Sequence, residues 1–352
     1  MARTTLAEIA RHLGVSKTTV SLALRNQPGI SEDTRRAVLD AAQRLGYQAR
    51  QERPRSDSAP RSILFLHKGL VNPHEGITGI RLGYLDGAQA AAGDFNLQLL
   101  IEYLPEDGAM GLSTEMLSAR PGWLLGAMLV GVKSSDDPAV VQARRLNIPV
   151  VVVNRYWPDS DLSFVSVNYL SAQASAVKYL WQLGHRKIAF VSLGSASEYC
   201  WCWQRRDGYL AGLAAEGCQP DPRFVIDAPD AATAVQRLID QAPEVTAICA
   251  AHDGAAIELM SELKRRGLQV PHDISIIGFD NDYRLPSADP PLTTVDYDEV
   301  SIGYWAVRVL VEQMHNKGLQ SIHVVMGSSL VERGSCAAPR NLPFLGSDQP
   351  AR

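Results

Sequence analysis

The chain has 352 residues, 46% of them hydrophobic and 20% charged, with a formal net charge of −4. That length and apolar content allow more than one hydrophobic core and exclude a disordered or fibrous chain. No stretch approaches the roughly 20 apolar residues that span a bilayer, and no basic region followed by an apolar run opens the chain, so membrane insertion and export are not expected. The charge is unevenly spread. Residues 1–60 carry ten Lys/Arg and six Asp/Glu, a balance of +4, which leaves −8 on the remainder. A basic head on an acidic body suits a small module that meets phosphates, although ordinary charge scatter gives the same count. The five cysteines, Cys200, Cys202, Cys218, Cys249 and Cys336, are odd in number and without compact spacing. They are expected as reduced thiols in a cytoplasm, with no metal site.

Thr5 to Glu8 has capping-box spacing and opens a first helix whose Leu6, Ile9, Ala10 and Leu13 share one face. Gly14 stops it. Ser16 caps a second helix with Val20, Ala23 and Leu24 inward. Asn26, Pro28 and Gly29 break the chain, and Ser31 opens a third helix buried through Val38, Leu39, Ala42 and Leu45. The short Gly14-Val15-Ser16 connector makes the first two helices a helix-turn-helix, the second being the reading helix. Its exposed positions are Lys17, Thr18, Ser21, Leu22 and Arg25. Lys17 can donate to guanine acceptors or phosphate, Thr18 can bond a base edge, and Leu22 can touch only apolar groups such as a thymine methyl. Ser16, Thr19, Ser21 and Asn26 are candidate phosphate anchors. A three-helix cap with no nucleic-acid role fits the same pattern.

From Ser62 onward, apolar strand-like runs (SILFL, LQLLI, GAMLVG, PVVVV, then KIAFVSL, RFVI, AICAA, ISIIGF) alternate with helical stretches. The helices are Ile80 to Ala92, Glu115 to Ala119, Pro138 to Leu146, Ser171 to Leu183, Arg205 to Glu216, Ala231 to Gln241, Ala255 to Arg266 and Tyr297 to Met314. The pattern is α/β, two doubly wound parallel sheets in succession, with a boundary near Asp161. No phosphate loop, zincin motif or nucleophile elbow appears, and no nucleophile stands with a base and an orienting group, so no catalytic residue, cofactor or metal is expected. The acidic side chains Asp227, Asp230, Asp253, Asp280 and Asp282 lack such partners. Gly79, Gly83 and Gly87, four apart on a helix, read as close helix packing or a subunit contact.

The first fifty residues, TTLAEIARHLGVSKTTVSLALRN (4–26) and GISEDTRRAVLDAAQRLGY (29–47), resemble the head of the LacI/GalR family of bacterial repressors. The resemblance continues through LNIPVVVVNR, QLGHRKIAFV, RRDGYLAGL, VPHDISIIGFDN, PPLTTV and LVERGS, from Thr4 to about Ser335. It implies a helix-turn-helix head (1–47), a linker (48–60), a two-lobed periplasmic-binding-protein-like domain of type I (61–340) for effector binding and dimerisation, and a tail (341–352). Lobe 1 would span about 61–161 and 292–320, lobe 2 about 162–291 and 321–340. The implied partners are double-stranded operator DNA with a palindromic site, a second copy of the chain, and a sugar-like effector; the implied location is cytoplasmic. A sugar-uptake protein, or a regulator sensing a purine or another non-sugar metabolite, stays open. The chain after Gly334 has Pro339, Pro343 and Pro350 and no leucine heptads, so a dimer is expected.

In the family the positions of Lys17, Thr18 and Leu22 read bases, and the third is usually Arg, so Leu22 implies a different operator. The family's hinge helix carries a leucine wedge. Here QARQERPRSDSAP (48–60) has none, and Pro54 opposes a helix, which favours a basic tether whose Arg50, Arg53 and Arg55 enter a narrow minor groove. For the effector, the family matches point to Asp253 (a plain helix cap on pattern alone), to Arg205 (an ion pair inside the lobe on pattern alone) and to Asn154-Arg155, where Asp-Arg is usual and a negative charge is therefore missing. His252 stands where Asn is common. Tyr199, Trp201 and Trp203, expected in the loop before the Arg205 helix, can stack on a sugar or a base or plug the lobe, with Trp203 the first choice. His74, Glu75 and Tyr156 complete the candidates. The cleft aromatic common in relatives is replaced around Asp227 and Ala228.

Overall fold

A computed structural model describes residues 6–24, 30–45, 61–68, 71–72, 76–77, 82–104, 123–145, 147–194, 196, 200–281, 288–316 and 318–340. The helix expected over Glu115 to Ala119, the linker with Arg50, Arg53 and Arg55, the candidates Arg25, Asn26, His74, Glu75 and Tyr199, and the tail lie outside those residues. The chain divides into two compact units, Met1–Ala59 and Pro60–Arg352.

In the first unit, α1 (Leu6–Leu13), α2 (Lys17–Leu24) and α3 (Glu32–Arg44) bury Ile9, Ala10, Val20, Ala23, Val38, Ala41 and Ala42 against one another. Gly14 turns the chain at φ +66, a conformation that costs glycine little, and Val15 N–H closes the turn on Ala10 O at 3.0 Å. Leu39 does not join this core. It is 48% exposed, because the α3 face that meets the other helices runs through Val38, Ala41, Ala42 and Leu45, and Leu39 lies one position off it.

The second unit holds two six-stranded sheets. The first comprises β1 (Ser62–Lys68), β4 (Gln98–Leu104), β5 (Leu124–Val130), β6 (Val150–Val153), β7 (Ser163–Val167) and β13 (His323–Met326), all parallel, in the order β13-β7-β6-β5-β1-β4. A short antiparallel ribbon, β2 (Val71–Asn72) with β3 (Gly76–Ile77), follows β1. The second sheet comprises β8 (Ile188–Leu193), β9 (Val225–Ala228), β10 (Ala247–Ala250), β11 (Ser275–Phe279), β12 (Thr293–Asp296) and β14 (Ser329–Val331), in the order β14-β12-β11-β10-β8-β9, with only β14 antiparallel. Central strands such as β1, β6 and β11 are buried along their whole length, the condition that continuous β-branched and leucine runs satisfy in a parallel sheet. Helices α4 (Leu82–Asp94), α5 (Pro138–Arg145), α6 (Tyr169–Gln182), α7 (Cys200–Ala215), α8 (Ala231–Gln241), α9 (Asp253–Arg265) and α10 (Glu299–His315) connect the strands.

The chain crosses between sheets after β7, after β12 and after β13. The lobe boundary therefore falls at Val167, not near Asp161, and lobe 1 regains the chain only after Asp296. The strand SFVSV joins the first sheet because Val151, Val152 and Val153 pair with Ser163, Phe164 and Val165. Its two serines hide it from a reading based on apolar runs. Asn168 caps α6 by accepting from Ser171 N–H (3.1 Å), and Asp298 caps α10 by accepting from Ser301 N–H (2.9 Å). Both crossovers into helices are thus pinned at their start. One core runs through both lobes, from Ile63, Phe65 and Met128 to Phe190, Cys249 and Phe279.

Gly83 and Gly87 settle their own role. A Cβ on Gly87 would lie 1.8 Å from Val300 O, and one on Gly83 would lie 2.6 Å from Glu299 Cβ. They let α4 approach α10 within the chain, and Gly303 does the same from the other side, 2.1 Å from Tyr84 O.

Candidate effector site and reading head

In the head, Ser16 Oγ accepts from Thr19 N–H at 3.0 Å and lies 2.8 Å from Thr19 Oγ1. These two candidate anchors therefore cap α2. Lys17 is exposed at its first turn. Thr18, Ser21 and Leu22 lie on the same eight-residue helix, and their side chains are outside the described set.

In open α/β sheets, ligands bind beyond the carboxyl ends of the strands, where the strand order reverses. Those points lie between β1 and β5 in the first sheet and between β8 and β10 in the second. Arg205, in the second turn of α7, is 2% exposed. Its Nη1 donates to Ala251 O (2.6 Å) just past β10, and its Nη2 donates to Asp280 Oδ1 (2.7 Å) just past β11. The guanidinium lies 3.8 Å from the Phe279 ring centroid, 4.6 Å from Trp201 and 4.9 Å from Tyr169. Burial works against its charge, but Asp280, with the oxygens of Tyr169 and Tyr297, holds its pKa above the ordinary value. Its Nε is buried and has no hydrogen-bond partner among the described residues.

The network then crosses to the first lobe. Tyr297 sits in the β12–α10 crossover, 2% exposed, and its hydroxyl donates to Asp280 Oδ1 (3.2 Å). That hydroxyl accepts from Asn154 Nδ2 (3.2 Å) and from the Tyr84 hydroxyl (3.3 Å). Tyr169, at the β7–α6 crossover, donates to Asn154 Oδ1 (2.5 Å) and reaches Asn154 O at 3.1 Å. Asn154, at φ +57 beyond β6, is thus held by both crossover tyrosines. Gln204 Nε2 adds a bond from α7 to Tyr156 O (2.6 Å), while the Tyr156 ring packs edge-on against Phe164.

Asp253 follows β10 at the start of α9. The cap of α9 is His252, whose Nδ1 accepts from Ala255 N–H (3.2 Å), so the plain-cap reading of Asp253 does not hold. Asp253 is 1% exposed, accepts from Thr294 Oγ1 (2.7 Å), and fits against Gly278, where a Cβ would lie 2.0 Å from its Oδ1. It braces α9 against β11 and β12. Trp201 and Trp203 stand in the first turn of α7, which starts five residues earlier than expected, and not in a loop. Trp201 is half-buried, edge-on to His252 with centroids 5.9 Å apart, whereas Trp203 is 48% exposed. Asp227 accepts from the Ser192 hydroxyl at the mouth of β8 and β9. Asp280, Tyr297 and Tyr169 are the residues that sequence reading passed over. Asp280 was visible as a carboxylate directly after a buried strand, but the tyrosines look like core aromatics at helix spacing.

Two α/β lobes joined through Asp280, Tyr297 and Asn154, with a helix-turn-helix head on the same chain, are the parts of a ligand-governed DNA-binding protein. The model for bacterial regulatory proteins of the lacI family matches residues 5–49, and that for the periplasmic binding protein-like domain matches residues 177–336. The HTH-type transcriptional repressor CytR of Escherichia coli (strain K12) is 30% identical over 341 residues, 95% of this chain and 96% of that protein. The HTH-type transcriptional regulator MalR of Streptomyces coelicolor is 30% identical over 351 residues, covering 95% and 97%. Among solved structures, the CelR–cellobiose complex superposes with a TM-score of 0.66 at 24% identity over 95% of this chain and all of that one. The lac repressor dimer bound to operator and an anti-inducer gives 0.63 at 19%, over 96% and 100%. The chain belongs to the LacI family of bacterial transcriptional regulators. It is a ligand-responsive DNA-binding regulator. Among the described residues no helix is long and apolar enough to cross a membrane.

Proposed function

We propose that the chain is a cytoplasmic homodimeric repressor of carbohydrate-utilisation genes, released from or fixed on a near-palindromic operator by a sugar or sugar derivative bound between its lobes. The names of its relatives support the first part, and the cellobiose in the CelR complex supports the second. Lys17, Thr18 and Leu22 read bases; Ser16, Thr19, Ser21, Arg25 and Asn26 set register on phosphates; Arg50, Arg53 and Arg55 follow the minor groove. In the cleft, Trp201 offers a stacking face, Arg205 its Nε, and Asn154, Arg155 and Asp280 the polar rim. His74, Glu75 and Tyr199 remain candidates there, while Trp203 and Tyr156 stand at its margin.

The observation that carries this reading is the hydrogen-bonded chain Arg205–Asp280–Tyr297–Asn154, which runs from one lobe to the other. No chemical step is involved. A ligand that fits one lobe arrangement better than the other shifts the balance between them, and linkage transmits that difference to DNA affinity. A thermal-shift screen of the whole chain against sugars, sugar acids, sugar phosphates, polyols, purines and nucleosides tests it. Selective stabilisation by a carbohydrate, with a matching change in operator affinity, is expected; a response confined to purines would replace the sugar assignment.

A further inference from the structure

The two lobes repeat one arrangement, and they differ in charge. Outward from each switch point run β1, β5 and β6 in the first sheet, and β8, β10 and β11 in the second. In both, an arginine donates to the main-chain carbonyl just past the middle strand of the three: Arg155 Nε to Val132 O and Arg205 Nη1 to Ala251 O, each at 2.6 Å. In both, a residue with positive φ follows the third strand, Asn154 in the first lobe and Asp280 in the second. Asp280 gives Arg205 its counter-ion. Asn154 is an amide, and its side chain is committed to Tyr169 and Tyr297.

Arg155 is therefore left with carbonyls. Besides Val132 O, it donates through Nη1 to Asn154 O (2.7 Å), and among the described residues no carboxylate lies within ion-pair distance of it. The nearby acid, Asp137, is already occupied by Lys68 Nζ at 2.6 Å and by the N–H groups of Lys133 and Ala139, both at 3.0 Å. Arg155 is 5% exposed. Guanidinium does not deprotonate in proteins, so this is a buried cation whose charge no described carboxylate of its own lobe neutralises. On the other side of the switch point stands His67, near the end of β1 and 6% exposed, its buried Nδ1 having no hydrogen-bond partner among the described residues. Burial pushes this imidazole down to about 4, against a main-chain hydrogen bond at Lys68 that raises it and with Arg155 adding to the lowering, so it stays neutral at pH 7 and can exchange a hydrogen bond with a hydroxyl. A buried cation just past β6 and a buried imidazole near the end of β1 thus lie at the carboxyl ends of strands of one sheet, where a ligand is expected.

We propose that the effector carries an oxyanion, a carboxylate or a phosphate on a hydroxylated skeleton, and that Arg155 binds the anion with His67 beside it. This rests on the cleft reading above and narrows it from sugars in general to sugar acids or sugar phosphates. Arg205 does not serve as the anion site, because Asp280 already neutralises it.

The test is thermal unfolding of the full chain at constant ionic strength, replacing chloride by inorganic phosphate or acetate, and then adding gluconate or glucose 6-phosphate. Excluded-anion stabilisation is common to every variant, so the informative quantity is the saturable part. Wild type is expected to show it, a rise in Tm of about 3 °C at ten times Kd. Arg155→Met removes it. Asn154→Asp, nearly isosteric but exchanging the Nδ2 donor to Tyr297 for an acceptor, weakens it several-fold by adding a negative charge beside Arg155, its ligand-free Tm being read first to establish that it folds. A response to carboxylates alone or to phosphates alone identifies the anion. An equal saturable rise in wild type and Asn154→Asp, or none in wild type, overturns the proposal. Failure of the regulator reading is separate: it appears as loss of sequence-specific DNA binding by wild type both with and without the added compounds.

Discussion

Replacing Tyr297 by Phe keeps the ring and removes one buried oxygen. That oxygen accepts from Asn154 Nδ2 and Tyr84 and donates to Asp280, over 3.2 to 3.3 Å. Asp280 keeps Arg205, but the amide and the Tyr84 hydroxyl each lose this acceptor. Neutral hydrogen bonds contribute about 0.5–1.5 kcal/mol net, and stranding a buried donor costs somewhat more, so the loss should be about 2–3 kcal/mol. For a unit of this size that lowers Tm by roughly 4–10 °C. A structural defect alone would stop there. Because the hydroxyl joins Asn154 in one lobe to Asp280 in the other, its loss should also shrink the effector's influence on operator affinity, while effector affinity changes less. Urea unfolding gives the first number, and operator titrations with and without effector give the second. A double-mutant cycle with Asn154→Ala should return a coupling of about 1 kcal/mol. Stability within about 0.5 kcal/mol of wild type, together with an additive cycle, would refute the interlobe link.

Gly87→Ala places a methyl 1.8 Å from Val300 O, a main-chain atom that cannot turn aside, so α4 and α10 must separate. A loss of about 2–3 kcal/mol by urea denaturation is expected, and a neutral result would contradict the helix crossing. His67 titrates at about 4 in the fold against 6.5 when unfolded, so the unfolded chain binds the extra proton between those values. Stability from this group is present above pH 6.5 and drains as pH falls toward 4, by at most about 3 kcal/mol. His67→Gln should flatten that part of the urea-midpoint profile, and an unaltered slope would point to other groups, His185 among them. Circular-permutation gel shifts should show a small central bend, since residues 48–60 contain no leucine to wedge between base steps; a large kink would contradict the tether reading.

The strands that sequence reading located are those whose composition leaves no alternative. Four valines in a row at 150–153 can be neither a turn nor an exposed helix face, and β6 is buried throughout. The strand at 163–167 escaped because Ser163 and Ser166 break the apolar run, although both serines are buried in the sheet. With it went the position of the first crossover, since the alternation of strands and helices carries no record of which sheet a strand joins. The site was legible to the level of residue type and strand end. Arg205 and Asn154 were found through the resemblance to the family; on pattern alone Arg205 reads as an ion pair inside its lobe, and that ion pair, with Asp280, is present. Asp253 and Asp280 look equivalent in the chain, each an acid after a buried strand. Only Gly278 and Thr294, brought alongside by β11 and β12, separate the bracing carboxylate from the one that meets Arg205.

The central claim is that a base-reading head obeys a ligand-binding body. Fluorescence anisotropy of a selected near-palindromic operator, titrated at fixed salt with wild type and Lys17→Ala, tests it most directly. The account predicts that Lys17→Ala weakens binding by roughly five- to a hundred-fold, the worth of one base or phosphate contact. It also predicts that the ligand found by thermal shift changes wild-type affinity by about five-fold or more. Equal operator affinity in wild type and Lys17→Ala, with no ligand effect on either, would contradict it.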